Sequence, residues 1–377
     1  MEFKEEHVAF RRVMRDFADC EIAPHAREWD RTGAFPLDAV AKMGDLGLFG
    51  LPFEERYGGS NSDFTTLCIA IEELARVDQS IAITLEAAVG LGINPIAEYG
   101  TEEQRDRWLP DLIAGRTLAG FGLTEPDAGS DAAATRTRAD LSDGTWIVNG
   151  SKAFITNSGT TITSLVTITA KTGPGEISSI IVPAGTPGFA VEPAYKKMGW
   201  HASDTHGLRF DECRVPEDHL LGTRGQGFRQ FMSILDDGRI AIAALAVGVL
   251  QACLEETSAY AKERTSFGQP IGSYQAIAFS IADIEVMAEA ARLLTYKAAW
   301  LKDTGQPYRH AAARAKLYAT ESAVSATRIA TQVFGGAGFL DDTLVARHYR
   351  DAKVLEIGEG TSEIQRIVIA RGLGLEV

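Results

Sequence analysis

The middle of the chain constrains the fold most, because short β-rich runs lie there between two regions of helical pattern. Between about residues 120 and 216, runs such as 146–148 and 164–169 are separated by turn pairs such as Asn149-Gly150. No interval between these runs is long enough for the crossover helix that joins parallel strands. We therefore expect an antiparallel β-barrel or sandwich here, not a Rossmann sheet.

Helical spacing of apolar residues dominates the rest of the chain. Before residue 120 it is clearest at 64–75, and Thr101 with Gln104 fits a capping box ahead of another helix. After residue 227 an apolar seam indicates an antiparallel bundle of four segments, at about 227–262, 274–304, 308–333 and 344–371. The predicted class is α+β, mainly α, with three domains: an N-terminal α-helical domain at 1–119, a central antiparallel β-barrel domain at 120–226, and a C-terminal four-helix bundle domain at 227–377.

Charge and cysteine content argue against several classes of protein. The 377 residues carry a formal net charge of −14, so no basic surplus exists to neutralise the phosphates of a nucleic acid. The four cysteines are widely spaced and form no CxxC pair, which argues against a disulfide framework or a zinc site. The start of the chain has no signal core, and no uninterrupted apolar run approaches membrane-spanning length. These features predict a cytoplasmic protein without membrane contact.

Near the end of the chain, a glutamate stands between two glycines immediately before a helical pattern, in the sequence IGEGTSEIQR (357–366). Gly358 and Gly360 would let the backbone approach a ligand closely, so Glu359 could be a base presented to that ligand. Ser362 and Gln365 fit a capping box, however, and Glu359 could equally be a first-turn acid favoured by the helix dipole. These residues alone leave both interpretations open.

Standard nucleotide, nucleophile and metal motifs do not occur in the sequence. There is no Walker P-loop, no GxGxxG between a strand and a helix, no GxSxG and no HExxH. The stretch 121–131, where the helical pattern gives way to strands, is rich in small and hydroxyl-bearing residues. It could form a backbone nest for a pyrophosphate, or only a tight turn that enters the barrel. No metal site is predicted.

Six motifs in a fixed order nevertheless resemble one family. They are LTEPDAGSD (123–131), KAFITN (152–157), ERTSFG (263–268), QVFGG (332–336), YRDAK (349–353) and EGTSEIQR (359–366). Over essentially the whole chain they resemble the acyl-CoA dehydrogenases, especially the short- and branched-chain bacterial members. The resemblance implies three domains, usually assembled as a homotetramer that is a dimer of dimers. It also implies FAD, extended between the barrel and the bundle and crossing into the neighbouring subunit.

The resemblance assigns roles position by position. Glu359 matches the catalytic base, and Gly238 occupies the position where some members carry that base instead. Cofactor contacts are expected from Phe121, Leu123, Thr124, Ser130, Phe154, Thr156, Arg264, Phe267, Gln275, Gln332, Gly336, Thr361 and Glu363. Substrate contacts are expected from Ser130, Asp236, Arg239, Gly360 and, near the closed end of the acyl pocket, Glu86. From the residues alone, Arg239 could also be a structural ion-pair partner, and Glu86 a satisfied buried carboxylate.

The implied reaction is the FAD-dependent α,β-dehydrogenation of an acyl-CoA thioester to the trans-2-enoyl-CoA. Glu359 would remove the α-proton, the β-hydrogen would pass to FAD as hydride, and an electron-transferring flavoprotein would accept the electrons. Apolar burial would raise the pKa of Glu359, whereas the N-terminus of the following helix would lower it. The sequence does not decide between these two effects.

Two residues depart from the family pattern. Phe154 stands where many members have Trp, which could change flavin packing and electron exit modestly. Gly358 stands where several straight-chain enzymes have Tyr, which suggests a wider pocket for a branched or cyclic acyl group. An acyl-CoA or acyl-carrier-protein oxidase that uses O2 is the nearest alternative, although the end of the chain soon after Arg371 favours the dehydrogenase. A non-enzymatic scaffold with the same fold is a more distant alternative.

Overall fold

The structure, a computed structural model, describes residues 3–377. Its twelve α-helices are Glu5–Phe17 (α1), Ala23–Thr32 (α2), Leu37–Asp45 (α3), Phe64–Val77 (α4), Gln79–Glu86 (α5), Asn94–Tyr99 (α6), Glu102–Ile113 (α7), Gly227–Glu263 (α8), Gln275–Asp303 (α9), Arg309–Phe334 (α10), Leu344–Ala352 (α11) and Ser362–Gly372 (α12). Its ten strands are Leu118–Gly122 (β1), Arg138–Ser142 (β2), Thr145–Thr156 (β3), Thr163–Gly173 (β4), Glu176–Pro183 (β5), Phe189–Val191 (β6), Thr205–Pro216 (β7), Leu220–Leu221 (β8), Thr265–Ser266 (β9) and Gln269–Pro270 (β10). The predicted class, mainly helical with a central β domain, is confirmed.

Side-chain caps fix the beginnings of the N-terminal helices. Asp63 accepts a main-chain N–H at the start of α4, and Asp78 does the same at the start of α5, each at 3.0 Å. The capping box between Thr101 and Gln104 opens α7 as predicted, and Pro110 lies inside that helix without ending it. Helix α4 is buried on nearly every side because it packs against α8. The N-terminal helices are thereby fixed to the C-terminal bundle.

The central sheet has the strand order β6-β7-β3-β2-β4-β5-β8, with β1 beside β4. Most neighbours are antiparallel, as expected, and β3 runs against β7 with Trp146 opposite Val215. Two contacts are parallel, however: β1 pairs along β4, and β2 meets β4 at a single residue pair. The chain between β1 and β4 passes through β2 and β3 and contains no long helix. The sequence therefore lacks the crossover pattern that usually reveals a parallel pair.

The C-terminal region packs α8, α9 and α10 against one another. In α8 every residue from Gly238 to Leu250 is buried, so the middle of this helix forms the centre of the core. The fourth predicted segment, 344–371, is interrupted, because α11 ends at Ala352 and α12 begins only at Ser362. The Glu359 loop occupies this interruption.

Two helical stretches, Gln79–Tyr99 and Gly227–Glu263, are long and apolar enough to cross a membrane. The sequence-based expectation that no such run exists is therefore wrong. In each stretch, 78% of the most apolar window is buried inside the molecule. Their apolar surface is thus used in packing the protein's own core.

Candidate active site

Glu359 lies on the loop before α12 in a backbone conformation that few residues adopt. Its φ is +52° and that of Gly360 is +91°, so two consecutive residues occupy the left-handed region. The hydroxyl of Thr361 accepts a main-chain N–H of α12 at 3.3 Å, which makes Thr361 the N-cap. The cap predicted at Ser362 is therefore wrong. The first-turn acid is Glu363, with an exposed side chain, so Glu359 stands outside the helix.

Three elements that are distant in sequence converge on the Glu359 carboxylate. A Cβ added at Gly238, on α8, would lie 2.0 Å from Oε2 of Glu359 and 3.6 Å from Oε1 of Glu86. Glu86 is the last residue of α5, and a Cβ added at Gly90 would lie 3.0 Å from the same Oε1. The missing side chains at residues 90 and 238 therefore make room for two neighbouring carboxyl groups.

Glu86 is buried, whereas Glu359 is half-buried with its Oε2 enclosed. Within residues 3–377, no other residue donates to either oxygen of Glu86 or to Oε2 of Glu359, so the donor available to Glu359 is the Glu86 carboxyl when it carries a proton. Burial and the negative charge of Glu359 raise the pKa of Glu86 well above its usual value, so Glu86 keeps its proton to higher pH than an exposed glutamate does. Burial also raises the pKa of Glu359, although the Glu86 carboxyl and the charges of Lys316 and Arg239 oppose this rise. Burial is larger than these three effects, so the pKa of Glu359 is raised.

Arg239 and Asp236 form an ion pair beside the two carboxyl groups. Both residues are on α8, and the Arg239 guanidinium donates to the Asp236 carboxylate. Arg239 is buried, and its positive charge helps to lower the pKa of Glu359. The structural ion pair proposed as an alternative role for Arg239 is therefore present. It coexists with an electrostatic effect on the candidate base.

A cavity of about 360 Å³ opens next to Glu86 and Gly238. In its wall, Asp237 accepts a hydrogen bond from the Tyr308 hydroxyl at 2.6 Å and forms an ion pair with Lys302 at 2.9 Å. Asp237 is thus already paired. Glu86 is the wall residue with unpartnered oxygens at the end nearer to Glu359.

Residues expected to contact the flavin lie along one edge of the β domain. The N–H of Ala153 donates to the carbonyl of Thr124 at 2.8 Å, which holds the loop after β1 against β3. Phe154 follows with φ of +61° and is 65% exposed, and Thr156 is half-buried at the end of the strand. Ser130 is exposed on the loop after β1. An open edge with an exposed ring and several hydroxyl groups suits a flavin and its phosphates.

Phe121 and Leu123 are placed differently, because their side chains pack inside the protein. Both belong to a small buried cluster with Phe231, and the rings of Phe121 and Phe231 are stacked with centroids 3.9 Å apart. The main chain of both residues and the ring edge of Phe121 are the parts left for a cofactor contact.

The loop after β1 is held by a buried ion pair whose role the sequence did not reveal. Glu125 accepts hydrogen bonds from Lys152 at 2.8 Å and from the main-chain N–H groups of Arg136 at 2.6 Å and Thr137 at 3.0 Å. Although burial opposes it, Lys152 and these donors lower the pKa of Glu125 to about 2. The sequence did contain a signal for this ion pair: Lys152 is a lysine within the apolar alternation of β3, close to the predicted flavin contact Phe154.

The remaining predicted cofactor residues form a separate group at one end of the bundle. Arg264, Phe267, Gln275, Gln332 and Gly336 are all exposed, and Phe267 is 95% exposed with φ of +50°. The ends of α8 and α10 meet there, where Tyr260 stacks on Phe334 at 4.1 Å. At about 1.5 Å per residue, the roughly 25 residues of α8 from 238 to 263 separate this group from Glu359 by about 38 Å. The structure of one chain therefore does not bring the two groups together.

Comparison with known proteins agrees with this arrangement. Three family profiles match successive parts of the chain: acyl-CoA dehydrogenase N-terminal domain (4–116), middle domain (120–213) and C-terminal domain (225–374). A probable acyl-CoA dehydrogenase of Bacillus subtilis (strain 168) is 48% identical over 375 residues, which cover 99% of each chain. Butyryl-CoA dehydrogenase from Megasphaera elsdenii has the same fold, with a TM-score of 0.96 and 40% identity over 100% of both chains. A chain in a structure of the electron transferring flavoprotein of Acidaminococcus fermentans matches with a TM-score of 0.97 and 40% identity, again over 100% of both chains. The chain belongs to the acyl-CoA dehydrogenase family.

Proposed function

We propose that this protein dehydrogenates a short acyl-CoA thioester to the trans-2-enoyl-CoA, with Glu359 as the base. One observation carries the proposal: the Glu359 carboxylate, with an enclosed oxygen to which no N–H group of residues 3–377 donates, is fixed on a left-handed loop in the space left by Gly238. A raised pKa makes this carboxylate a stronger base than an exposed glutamate. A first-turn acid paired with its own helix would need none of these features.

FAD is the cofactor of this family. The exposed edge with Thr124, Phe154 and Thr156 fits a planar, hydrogen-bonding ring system, and the hydroxyl of Ser130 is free to bind phosphate. Bound there, FAD supplies the acceptor for the β-hydrogen, which leaves as hydride. The Glu125–Lys152 pair orders the loop that carries Thr124 and Ser130, so the binding edge is preorganised.

The protein's own part in the reaction is the removal of a proton. The α-carbon–hydrogen bond breaks, its proton passes to the Glu359 carboxylate, and its electron pair forms the new α,β-double bond as the β-hydride departs. Negative charge develops on the thioester oxygen during this step, so a hydrogen-bond donor must face that oxygen. Within residues 3–377 the main-chain N–H of Glu359 has no acceptor, which leaves it free for this role.

The acyl group that the site favours is short. Glu86 ends the space beside Glu359 with a carboxyl to which no other residue of 3–377 donates, and a long alkyl chain would have to pack against this polar group. The relative from Megasphaera elsdenii, a butyryl-CoA dehydrogenase, is consistent with this size. A Cβ at Gly358 would meet only the carbonyl of Val354, at 3.5 Å, so the base loop also leaves room for branching.

Assembly with further copies would complete the cofactor site. Phe279, Val286, Leu293 and Trp300 on α9 recur at intervals of seven residues, and each is at least 43% exposed. Such a stripe of large apolar side chains needs a partner helix, and a second copy of this chain is the occupant that we propose. Within a homotetramer, the exposed Arg264 group could then reach a neighbour's cofactor.

The electrons would leave to an electron-transferring flavoprotein in the cytoplasm. The matching structure from Acidaminococcus fermentans concerns a protein of that class. The alternative is an oxidase, in which O2 reoxidises the flavin directly. The two functions share the Glu359 chemistry and differ only in the electron acceptor.

The decisive experiment is a panel of acyl-CoA thioesters scored by bleaching of the flavin without oxygen. We expect bleaching to be fastest with four- to five-carbon chains. Values of kcat/KM for isobutyryl- or 2-methylbutyryl-CoA far below that for butyryl-CoA would reject the wide-pocket interpretation of Gly358. Admission of air then distinguishes the two possible electron acceptors, because rapid reoxidation of the flavin with peroxide release would identify an oxidase. A protein that never bleached with any thioester would reject the proposed function.

A further inference from the structure

Lys316 is a buried lysine on α10 that contacts the main chain of the loop carrying Glu359. Its side chain is fully enclosed, on a helix face whose other residues are mostly alanines, such as Ala312 and Ala319, beside the buried Thr320. The ammonium donates to the carbonyl of Gly360 at 2.6 Å and to the carbonyl of Leu355 at 3.2 Å. These two carbonyls lie on either side of Glu359 in the chain.

The contacts of Lys316 are unusual for a buried cation. Among the described residues 3–377, no carboxylate oxygen lies within 4 Å of its ammonium, whereas the other fully buried lysine, Lys152, is paired with Glu125 at 2.8 Å. An ammonium that served only the stability of the core would be expected to have a carboxylate partner. Lys316 instead donates its hydrogen bonds to main-chain carbonyls of the loop that carries Glu359.

We infer that Lys316 is a positioning residue for Glu359: it ties the two flanks of the loop to α10 and places a positive charge behind the carboxylate. The inference rests on the proposed role of Glu359 as the base. Lys316 does not touch the substrate site in this account. It acts through the loop and through its charge.

The loop needs such a tie because its conformation is intrinsically unfavourable. Glu359 has a side chain and yet adopts φ of +52°, next to Gly360 at +91°. A residue with a side chain stays in the left-handed region only when its surroundings hold it there. Gln365 supplies a second tie, since its side-chain amide donates to the same Gly360 carbonyl at 2.8 Å. Gly360 is therefore held by two side chains from two helices.

The charge of Lys316 adds a separate electrostatic effect. It lowers the pKa of Glu359 against the rise caused by burial. Burial lowers the pKa of Lys316 itself to about 8; the charged groups that act on it are Glu359 and Glu356, which raise this pKa, and Arg239, which lowers it. Lys316 is thus a cation below about pH 8. The charge favours the ionised base in this range.

The test compares Lys316→Met with Arg314→Met in the FAD-loaded full-length protein. Arg314 lies on the same helix but is exposed, and it contacts only a carbonyl of its own helix. For Lys316→Met we expect normal FAD content, a kcat lower by about 10- to 100-fold and a KM changed by less than about threefold, because misplacement of a base impairs the chemical step most. The acidic limb of the pH profile of kcat/KM should also move to higher pH, because the cation that favours the ionised base is gone.

Gln365→Leu removes one of the two side-chain hydrogen bonds to the Gly360 carbonyl without removing a charge. It should lower kcat and leave the acidic limb where it is in the wild type. The binding of a non-oxidisable acyl-CoA thioether, measured by calorimetry against pH, gives a readout that is independent of turnover. Its pH dependence should shift in Lys316→Met and not in Gln365→Leu or Arg314→Met.

The inference is overturned if Lys316→Met keeps the wild-type kcat, or if it loses kcat while its acidic limb stays in place. If Lys316→Met does not fold, Lys316→Arg decides: a lowered kcat with an unmoved acidic limb supports the inference, and wild-type kcat contradicts it. If the flavin of the wild-type protein bleaches with butyryl-CoA, the proposed function is supported whatever the Lys316 variants show. Failure of the inference and failure of the proposed function are thereby distinguished.

Discussion

The carboxylate of Glu359 fills the space that a side chain on residue 238 would occupy: a Cβ added at Gly238 would lie 2.0 Å from its Oε2. Gly238 is on α8 and Glu359 is on the loop before α12, and neither residue could hold a larger group without displacing the other. The position of the base is therefore set jointly by α8 and by the loop before α12.

Gly238→Ala should displace the base. Because the middle of α8 is buried and a separation of 2.0 Å is impossible for a real Cβ, the Glu359 side chain must move. We expect kcat to fall at least about tenfold and the free energy of unfolding to drop by about 1–3 kcal/mol. Stopped-flow flavin reduction and denaturant titration measure the two effects. Gly358→Ala is the contrast, since its Cβ would meet one carbonyl at 3.5 Å; equal losses in both variants would contradict the account.

Glu86→Leu should move the acidic limb of kcat/KM to higher pH. A hydrogen bond from the Glu86 carboxyl lowers the pKa of Glu359, so without that carboxyl the rise caused by burial is less opposed. Since the base works only when ionised, activity appears as pH rises through the Glu359 pKa, which already lies above the usual 4.5. Glu86→Gln keeps a donor and should shift the limb less. A limb that moved to lower pH in Glu86→Leu would mean that Glu86 is ionised in the wild type.

Leu293→Glu should break the assembly proposed along α9. A charge within a buried apolar stripe is costly, so copies carrying it should separate. Light scattering should report a smaller species, and flavin absorbance should report a loss of FAD, because the Arg264 group would no longer face a neighbour's site. Arg314→Glu makes a charge change of the same sign at an exposed position of α10 and should change neither the mass nor the FAD content. A Leu293→Glu protein with unchanged mass would place the interface elsewhere.

The sequence predicted the order of the three regions and the loop that carries Glu359, because both depend on local pattern. Periodicity identified the long helices and the glycines marked the loop, whereas the role of Glu359 as the base came from the family resemblance. The predicted fourth bundle segment, 344–371, nevertheless ran through this loop, since the apolar stripe continues on both sides of it. The parallel pairing of β1 with β4 was missed because its connection consists of strands.

Convergence in space was beyond the reach of local pattern. Glu86 and Glu359 meet only because α5, α8 and the base loop pack together, and nothing in the spacing of these residues specifies that contact. Glu86 came from the family resemblance alone. Lys316 had a visible signal, a single lysine among alanines on one face of α10, but its meaning depends on the carbonyls that it reaches.

The most direct test of the account is the rate of anaerobic flavin bleaching in Glu359→Gln. The amide is close to the carboxylate in shape, so the protein should fold, keep its yellow cofactor and bind butyryl-CoA. It cannot accept the α-proton, and bleaching should slow by at least about 100-fold. Bleaching at the wild-type rate would contradict the assignment and move the base elsewhere, towards the segment 236–239 on α8.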